Sequence, residues 1–228
     1  GGNDAFIVLA DADLDLAVSE AIAGRLLFSG QVCCASKRFL VHNSVRETFT
    51  NKLITALGSV VCGDPLDPAV QVGPVINEEA AKKIEEQVNR IIEQGGRLLL
   101  GGKRNGTFFE ITVLTDVPPT SDVAKDEEIF GPVIPIIGFD TTQEAISIAN
   151  ASSYGLNSCV FSSNASEAMT VAYAMQAGTA VINGSGLFRS NEMPFGGHKR
   201  SGLGTEGTLT SLEECSQLKT IVLKNIIV

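Results

Sequence analysis

The chain has 228 residues, of which 44% are hydrophobic and 19% charged, so it is large and apolar enough to fold around a substantial core. Its formal net charge of -9 opposes binding to phosphate backbones and anionic lipids, which argues against nucleic-acid and membrane partners. Because it contains no bilayer-spanning apolar run and no signal-peptide pattern, we expect a cytoplasmic protein that acts on a small molecule.

Strands and amphipathic helices alternate along most of the chain. Apolar runs rich in β-branched residues predict strands at residues 5–10, 38–42, 97–100, 111–114, 133–139, 157–161 and 179–183. Helical periodicity predicts helices at residues 13–28, from 44 onward, and at 77–94, 143–149, 166–176 and 208–215. Ser44 and Glu47 have the spacing of a capping box, and Gly95-Gly96 supplies a helix stop. The alternation predicts an α/β fold with a sheet covered on both faces.

The five cysteines are odd in number and irregularly spaced, which is typical of reduced intracellular thiols rather than of a disulfide framework. Two of them, Cys33 and Cys34, are adjacent and follow the end of the first predicted helix. Lys37 and Arg38 come shortly afterwards, and nearby positive charge can activate a thiol. Cys33 is therefore either a nucleophile or small apolar filler, since free cysteines are often simply buried.

Other catalytic chemistry has less support in the sequence. A cysteine hydrolase needs a histidine base, and the two histidines, His42 and His198, have no orienting Asn or Asp motif. Adjacent cysteines lack the spacing of a zinc site, so no metal site is expected. "GLGTEG", residues 202–207, matches a dinucleotide fingerprint, but no strand precedes it, and we interpret it as a turn before a helix.

The stretch "EEIFGPV", residues 127–133, places two carboxylates before an aromatic ring and a Gly-Pro turn. A carboxylate can accept hydrogen bonds from ribose hydroxyls, and a ring can pack on a flat heterocycle. The residues alone favour the simpler interpretation, an ordinary acidic loop that enters a strand.

Eight motifs follow one another along the chain: "GGNDAFIVLADADLDLAV", "GQVCCASKR", "GDPLDP", "VGPVIN", "EEIFGPV", "AISIANASSYGL", "AVING" and "PFGGHKRSGLGTEG". Taken together and in this order, they resemble the motifs of the aldehyde dehydrogenase superfamily. The resemblance runs the length of the chain and implies an open, twisted, largely parallel sheet flanked by helices.

The resemblance assigns roles to individual residues. Cys33 matches the nucleophile, which attacks an aldehyde carbon to give a thiohemiacetal, and hydride transfer to NAD or NADP then leaves a thioester. Glu128 matches the carboxylate that binds the nicotinamide ribose, and Phe130 the ring that packs near the nicotinamide. Cys34 and Phe195 match positions that line the substrate pocket.

The resemblance also implies a domain organisation. Residues 1–216 correspond to the catalytic domain, and residues 217–228 to a C-terminal oligomerisation strand. The family's NAD-binding Rossmann-type domain has no counterpart in the chain, and the family's general base, a Glu, would precede Gly1. We therefore expect the 228-residue chain alone to show no dehydrogenase activity.

The substrate is expected to be a short aliphatic aldehyde or semialdehyde, oxidised to the carboxylic acid. Some relatives specific for succinic semialdehyde carry an Arg where this chain has Leu27; Arg189 either takes that role or is a surface residue. One alternative is a CoA-acylating relative. The other is a non-catalytic assembly module whose terminal segment, "LKTIVLKNIIV", pairs with a partner subunit in a dimer or tetramer.

Overall fold

The structure is a computed structural model, and it describes residues 1–225. Its strands, in chain order, are β1 (Asp4–Val8), β2 (Ser36–His42), β3 (Arg97–Leu100), β4 (Arg104–Asn105), β5 (Phe108–Phe109), β6 (Thr112–Thr115), β7 (Val133–Phe139), β8 (Tyr154–Gly155), β9 (Asn157–Phe161), β10 (Thr179–Ile182), β11 (Phe195–Gly196), β12 (His198–Lys199) and β13 (Thr205–Glu206). Its helices are α1 (Leu14–Leu26), α2 (Asn43–Leu57), α3 (Glu78–Glu93), α4 (Asp122–Lys125), α5 (Thr142–Asn150), α6 (Ala165–Ala174) and α7 (Thr208–Glu214).

Within the described residues, the main sheet has seven strands in the order β10-β9-β1-β2-β7-β6-β3. Every neighbouring pair is parallel except β3 and β6, which are antiparallel. In the centre of the sheet, Phe6 of β1 pairs with Phe39 of β2 and with Cys159 of β9. The prediction of an α/β protein with an open, largely parallel sheet is confirmed.

The sheet divides the interior into two apolar layers. On one face, side chains of α3, α5 and α6 pack against strand residues such as Ile7 and Leu40. On the other face, α1 and α2 cover Phe6, Phe39 and Phe161. The centre of the Phe6 ring lies 5.0 Å from that of Phe39 and 4.5 Å from that of Phe161. This coverage explains why the strands are apolar along their whole length, because alternate side chains enter opposite layers.

The predicted capping box of α2 is wrong. The helix begins one residue earlier, at Asn43, and its cap is His42, whose Nδ1 accepts the backbone N–H of Ser44. Ser44 therefore lies inside the first turn instead of preceding it. The predicted stop of α3 is confirmed, because the helix ends at Glu93 and Gly95 has a φ of 109°.

The described part of the C-terminal segment, residues 217–225, does not rejoin the sheet. Residues 217–225 form no strand, and the side chains of Leu218, Ile221, Val222 and Leu223 are exposed. The last three residues of the predicted oligomerisation strand, 226–228, lie outside the described residues. None of the helices in residues 1–225 combines the length and apolar character that crossing a bilayer requires.

Candidate active site

The candidate residues converge on one edge of the sheet because three neighbouring parallel strands begin there. Gly2 precedes β1, Cys33 precedes β2, and the "EEIFGPV" stretch leads into β7. Since parallel strands start at the same edge, these segments, far apart in sequence, lie side by side. The sheet thus brings Cys33 together with Glu128 and Phe130.

Cys33 follows a tight left-handed turn between α1 and β2 by three residues. A single turn of 3₁₀ helix, Leu27–Gly30, follows α1, and Phe28, Ser29 and Gly30 all have positive φ angles, of 50°, 58° and 77°. Gly30 is required there, because a Cβ at this position would collide with the Gly131 carbonyl oxygen. The turn presents Cys33 at the surface of the site in a half-buried position.

Two polar contacts attach this turn to the loop before α3. The Ser29 hydroxyl donates to the Gly73 carbonyl at 2.9 Å. The Ile76 backbone N–H donates to the Gln31 side-chain oxygen, also at 2.9 Å. The backbone that carries Cys33 is therefore held from outside the turn as well as by its own conformation.

Lys37 links the nucleophile candidate to the ribose-binding candidate. Its side chain is 1% exposed. Its Nζ donates to the Cys33 carbonyl oxygen at 2.5 Å and lies 3.2 Å from Glu128 Oε1 and 5.3 Å from the centre of the Phe130 ring. Cys33, Glu128 and Phe130 thus surround one ammonium group.

Glu128 has one oxygen engaged by the protein and one available to a ligand. Its Oε1 accepts the Gly2 backbone N–H at 2.9 Å as well as facing Lys37. Among the described residues, no hydrogen bond reaches Oε2. Beside it, the Phe130 side chain is 39% exposed, so part of its ring is accessible to a ligand.

A wide concavity opens next to these two side chains. Its lining includes Gln87, Glu127, Glu128, Phe130 and Tyr154. A free carboxylate oxygen beside an exposed ring fits a ribose hydroxyl and an attached flat heterocycle. The residues present therefore suit the nicotinamide riboside end of NAD or NADP.

Arg25 of α1 holds the loop that carries Glu128 and Phe130. This guanidinium is fully buried, and it donates from Nε to the Val133 carbonyl at 2.7 Å and from Nη2 to the Ile129 carbonyl at 2.9 Å. Burial lowers the pKa of Arg25 to about 9, so the group stays charged at neutral pH. Both carbonyls flank Phe130 and so fix the loop around it.

Asp4 is a buried carboxyl beside the site that sequence reasoning missed. Its Oδ1 accepts the Asn157 backbone N–H at 3.2 Å, and its Oδ2 has no hydrogen-bond partner among the described residues. Burial raises the pKa of Asp4 to about 7, against the opposing attraction of Lys37. The available signal was an acidic residue at the start of an otherwise apolar strand.

The second thiol has a different environment from the first. Cys34 is half-buried, and burial together with the neighbouring Cys33 raises its pKa to about 11. Its carbonyl lies beside Gly186, whose own carbonyl accepts from the Asn157 side chain at 2.9 Å. Cys34 therefore contacts the loop that leads towards β11.

Phe195 begins β11 at the end of that loop and is half-buried. The Arg189 guanidinium lies 3.9 Å from the centre of its ring. Within residues 1–225, no hydrogen bond or ring contact joins Phe195 to Cys33, so the structure links Phe195 to the site only through this loop. Arg189 lies at the edge of a polar depression with Asn191 and Glu206.

The histidines do not form a hydrolase site with Cys33. His42 ends β2, whose start lies next to Cys33, and a strand of this length places the two ends roughly 20 Å apart. His198 is exposed on β12. The "GLGTEG" stretch forms a turn and the short strand β13 before α7, as predicted.

Comparison with known proteins decides the family. The profile of the aldehyde dehydrogenase family matches residues 1–221. The chain belongs to the aldehyde dehydrogenase family. The identification made from the sequence motifs is thereby confirmed, and the matched region contains all five candidate site residues.

Relatives within this family span several named activities. The chain is 41% identical over 227 residues to a lactaldehyde dehydrogenase of Methanococcus maripaludis, and 40% identical over 223 residues to a sulfoacetaldehyde dehydrogenase of Neptuniibacter caesariensis. These matches cover 99% and 98% of the chain but only 48% and 49% of the relatives. The chain thus spans about half the length of the curated relatives it matches.

A solved structure agrees with the same assignment. The fold superposes with a TM-score of 0.93 on the glyceraldehyde-3-phosphate dehydrogenase GapN of Methanocaldococcus jannaschii, a complex with NADP, at 42% identity. The alignment covers 97% of the chain and 48% of that protein.

Proposed function

We propose that this chain provides the nucleophile-bearing catalytic domain of an NAD(P)-dependent aldehyde dehydrogenase. The observation that carries the proposal is the meeting of Cys33, Glu128 and Phe130 around the Lys37 ammonium. A thiol that follows a left-handed turn, beside a carboxylate with a free oxygen and an exposed ring, suits an aldehyde and a nicotinamide riboside held next to each other.

In the proposed reaction, the Cys33 sulfur bonds to the aldehyde carbon and the carbonyl oxygen takes up negative charge. The backbone N–H of the nucleophile's turn donates to that oxygen. Bound NAD(P)+ supplies the acceptor for the hydride that leaves the same carbon, and Cys33 then holds the acyl group as a thioester. Water cleaves the thioester, which releases the carboxylic acid and restores the thiol.

Glu128 and Phe130 have binding roles in this scheme. Glu128 Oε2 accepts a ribose hydroxyl while Oε1 stays bonded to Gly2 and Lys37. Phe130 packs against the nicotinamide end and limits access of water to it. Cys34 and Phe195 line the aldehyde side, connected by the loop that contacts the Cys34 carbonyl.

We further propose that the substrate is a short aliphatic aldehyde or semialdehyde and that the enzyme works in the cytoplasm. Relatives named for lactaldehyde, sulfoacetaldehyde and succinate semialdehyde, at 40–41% identity, support the substrate class. Five unpaired cysteines support a reducing compartment.

The exposed C-terminal segment favours assembly in addition to catalysis. Residues 217–225 leave the domain formed by residues 1–216 and expose four large apolar side chains. Such an unpaired β-prone segment is suited to pairing with a second copy of the chain. We therefore infer a homo-oligomer, a dimer or tetramer, held in part by residues 217–228.

Selective alkylation tests the catalytic assignment. Iodoacetamide at low dose, followed by peptide mapping, is expected to modify Cys33 before any other cysteine. Cys159 is buried, and raised pKa values keep Cys34 and the exposed Cys62 protonated, so exposed Cys215 is the main competitor. The matched controls are Cys34→Ser, which should keep the labelling, and Cys33→Ser, which should abolish the rapid phase. Faster labelling of Cys34 or Cys215 would remove Cys33 from the proposal.

A further inference from the structure

Lys37 is a buried cation whose hydrogen bonds all point into the site. An ammonium has three protons and no lone pair, so it needs three acceptors when it is withdrawn from water. The structure supplies them as the Val32 carbonyl at 3.1 Å, the Cys33 carbonyl at 2.5 Å and Glu128 Oε1 at 3.2 Å, with the Ala35 carbonyl as a longer fourth contact at 3.5 Å. Two acceptors belong to the nucleophile's turn and the third to the ribose-binding candidate.

This arrangement differs from that of a lysine that only closes a turn. Lys199 provides the comparison, because its Nζ donates to the Asn150 and Ser152 carbonyls, both at 2.9 Å, and to no carboxylate. Lys37 divides its protons between backbone and carboxylate, and its burial next to Phe130 removes the solvent that would screen its charge.

We propose that Lys37 is a positioning residue that couples the reactivity of Cys33 to the state of Glu128. Its ammonium holds the nucleophile's turn and the Glu128 carboxylate together, makes the electrostatic potential at the Cys33 sulfur more positive, and is itself partly neutralised by Glu128. The inference rests on the proposed function, since it takes Cys33 as the nucleophile and Glu128 as the ribose ligand.

The electrostatic part of this proposal follows from covalent geometry. Nζ contacts the carbonyl oxygen of Cys33, and a sulfur of the same residue lies within about 7 Å of it. At that separation, the buried charge of Lys37 makes the electrostatic potential at the sulfur more positive, and an anionic reagent that approaches the sulfur senses this potential. A ligand hydroxyl that donates to Glu128 draws its charge away from Lys37, so ribose binding strengthens the effect of the ammonium on Cys33.

Two alkylating reagents test this coupling on the 228-residue chain without cofactor. Iodoacetamide is neutral and iodoacetate is negatively charged, so the ratio of their rates at Cys33 reports the local potential. Lys37→Gln keeps amide donors for the turn but removes the charge, whereas Glu128→Gln removes the opposing charge. Lys199→Gln is the matched control for the loss of a lysine bonded to backbone carbonyls.

We expect Lys37→Gln to lower the iodoacetate-to-iodoacetamide ratio about fivefold and Glu128→Gln to raise it about twofold. Lys199→Gln should leave the ratio at the wild-type value. A turn that is merely loosened changes both rates together and leaves the ratio constant. An unchanged ratio in Lys37→Gln, or a shift of the same sign in both site variants, would overturn the proposal.

Two further features keep the test decisive. If Lys37→Gln does not fold, as judged by circular dichroism, the test relies on Glu128→Gln alone. A constant or lowered iodoacetate-to-iodoacetamide ratio in Glu128→Gln would then contradict the coupling. Failure of the proposed function looks different, because the wild-type chain would then be labelled first at a cysteine other than Cys33.

Discussion

At the scale of single residues, the site combines groups that the sequence motifs mark with groups that only the fold brings close. Cys33, Glu128 and Phe130 lie in motif segments, and their candidate roles could be predicted from these motifs. Lys37 was marked in the sequence only as a charge near the thiols, and its contact with Glu128 was not predicted. Asp4 and Arg25 were not marked at all, because their importance comes from burial, and a sequence does not show which charges share an interior. The structure places all six around the start of β1, β2 and β7.

Asp4 gives a pH-dependent prediction. Its folded pKa of about 7 exceeds the ordinary value of 3.8 because burial disfavours the carboxylate. Between these two values the folded chain holds a proton that the unfolded chain has lost, so the contribution of Asp4 to stability falls as pH rises through this window. An Asn side chain at position 4 would have nearly the same shape as Asp4 but could not ionise, so it would remove this pH dependence.

We therefore expect Asp4→Asn to match the wild type near about pH 4 and to be more stable by roughly 2–4 kcal/mol near about pH 8. Urea unfolding of both proteins across this range measures the difference. Asp13→Asn, at the exposed N-cap of α1, is a control that alters a carboxyl without burial. A difference between Asp4→Asn and wild type that does not change with pH would contradict the argument.

At the scale of elements, the helices and strands were largely predictable because their apolar patterns are strong. The strands 133–139 and 157–161 have the predicted bounds. The start of α2 was not predictable in the same way. A capping box is a pattern of local residue types, whereas the actual cap is His42, the last residue of the preceding strand. His42 accepts from Ser44 through Nδ1, and its Nε2 lies 3.1 Å from the Asp140 carbonyl.

This cap can be tested by comparing three substitutions. Nδ1 accepts, so Nε2 carries the proton and donates to Asp140. His42→Ala loses both bonds and should reduce the free energy of unfolding by about 1–2 kcal/mol. Ser44→Ala loses the hydroxyl that lies 2.8 Å from His42 Nδ1 and should cost less than His42→Ala. Glu47→Ala removes only the predicted capping box and should cost about 0.5 kcal/mol or less. Thermal unfolding of the three variants measures these values, and a larger loss in Glu47→Ala than in His42→Ala would restore the original interpretation.

At the scale of the whole molecule, the position of the site relative to the sheet is the feature that the sequence predicted least well. Ligands in open α/β sheets usually bind where strands end at their carboxyl edge. Here the candidate residues lie where strands begin, and the left-handed turn at Phe28 and Ser29, which non-glycine residues rarely adopt, places Cys33 there. Backbone strain of this kind depends on contacts from other segments, such as Gly73 and Gly131.

The terminal segment gives a prediction about assembly. Residues 217–225 bury no apolar side chain in the domain, so their removal together with residues 226–228 should leave the melting temperature of the remaining monomer nearly unchanged. Removal should lower the oligomer size measured by light scattering. Ile221→Lys is expected to do the same, while Lys219→Ser, a neighbouring exposed position, should not. An unchanged oligomer after the deletion would exclude the segment as the interface.

The central claim is that the Cys33 sulfur bonds to an aldehyde carbon, and carbon NMR with a short aldehyde labelled at its carbonyl carbon tests it most directly. The account predicts a thiohemiacetal resonance with the wild-type chain and with Cys34→Ser, and loss of this resonance with Cys33→Ser. The same resonance, undiminished in Cys33→Ser, would contradict the assignment of Cys33 as the nucleophile.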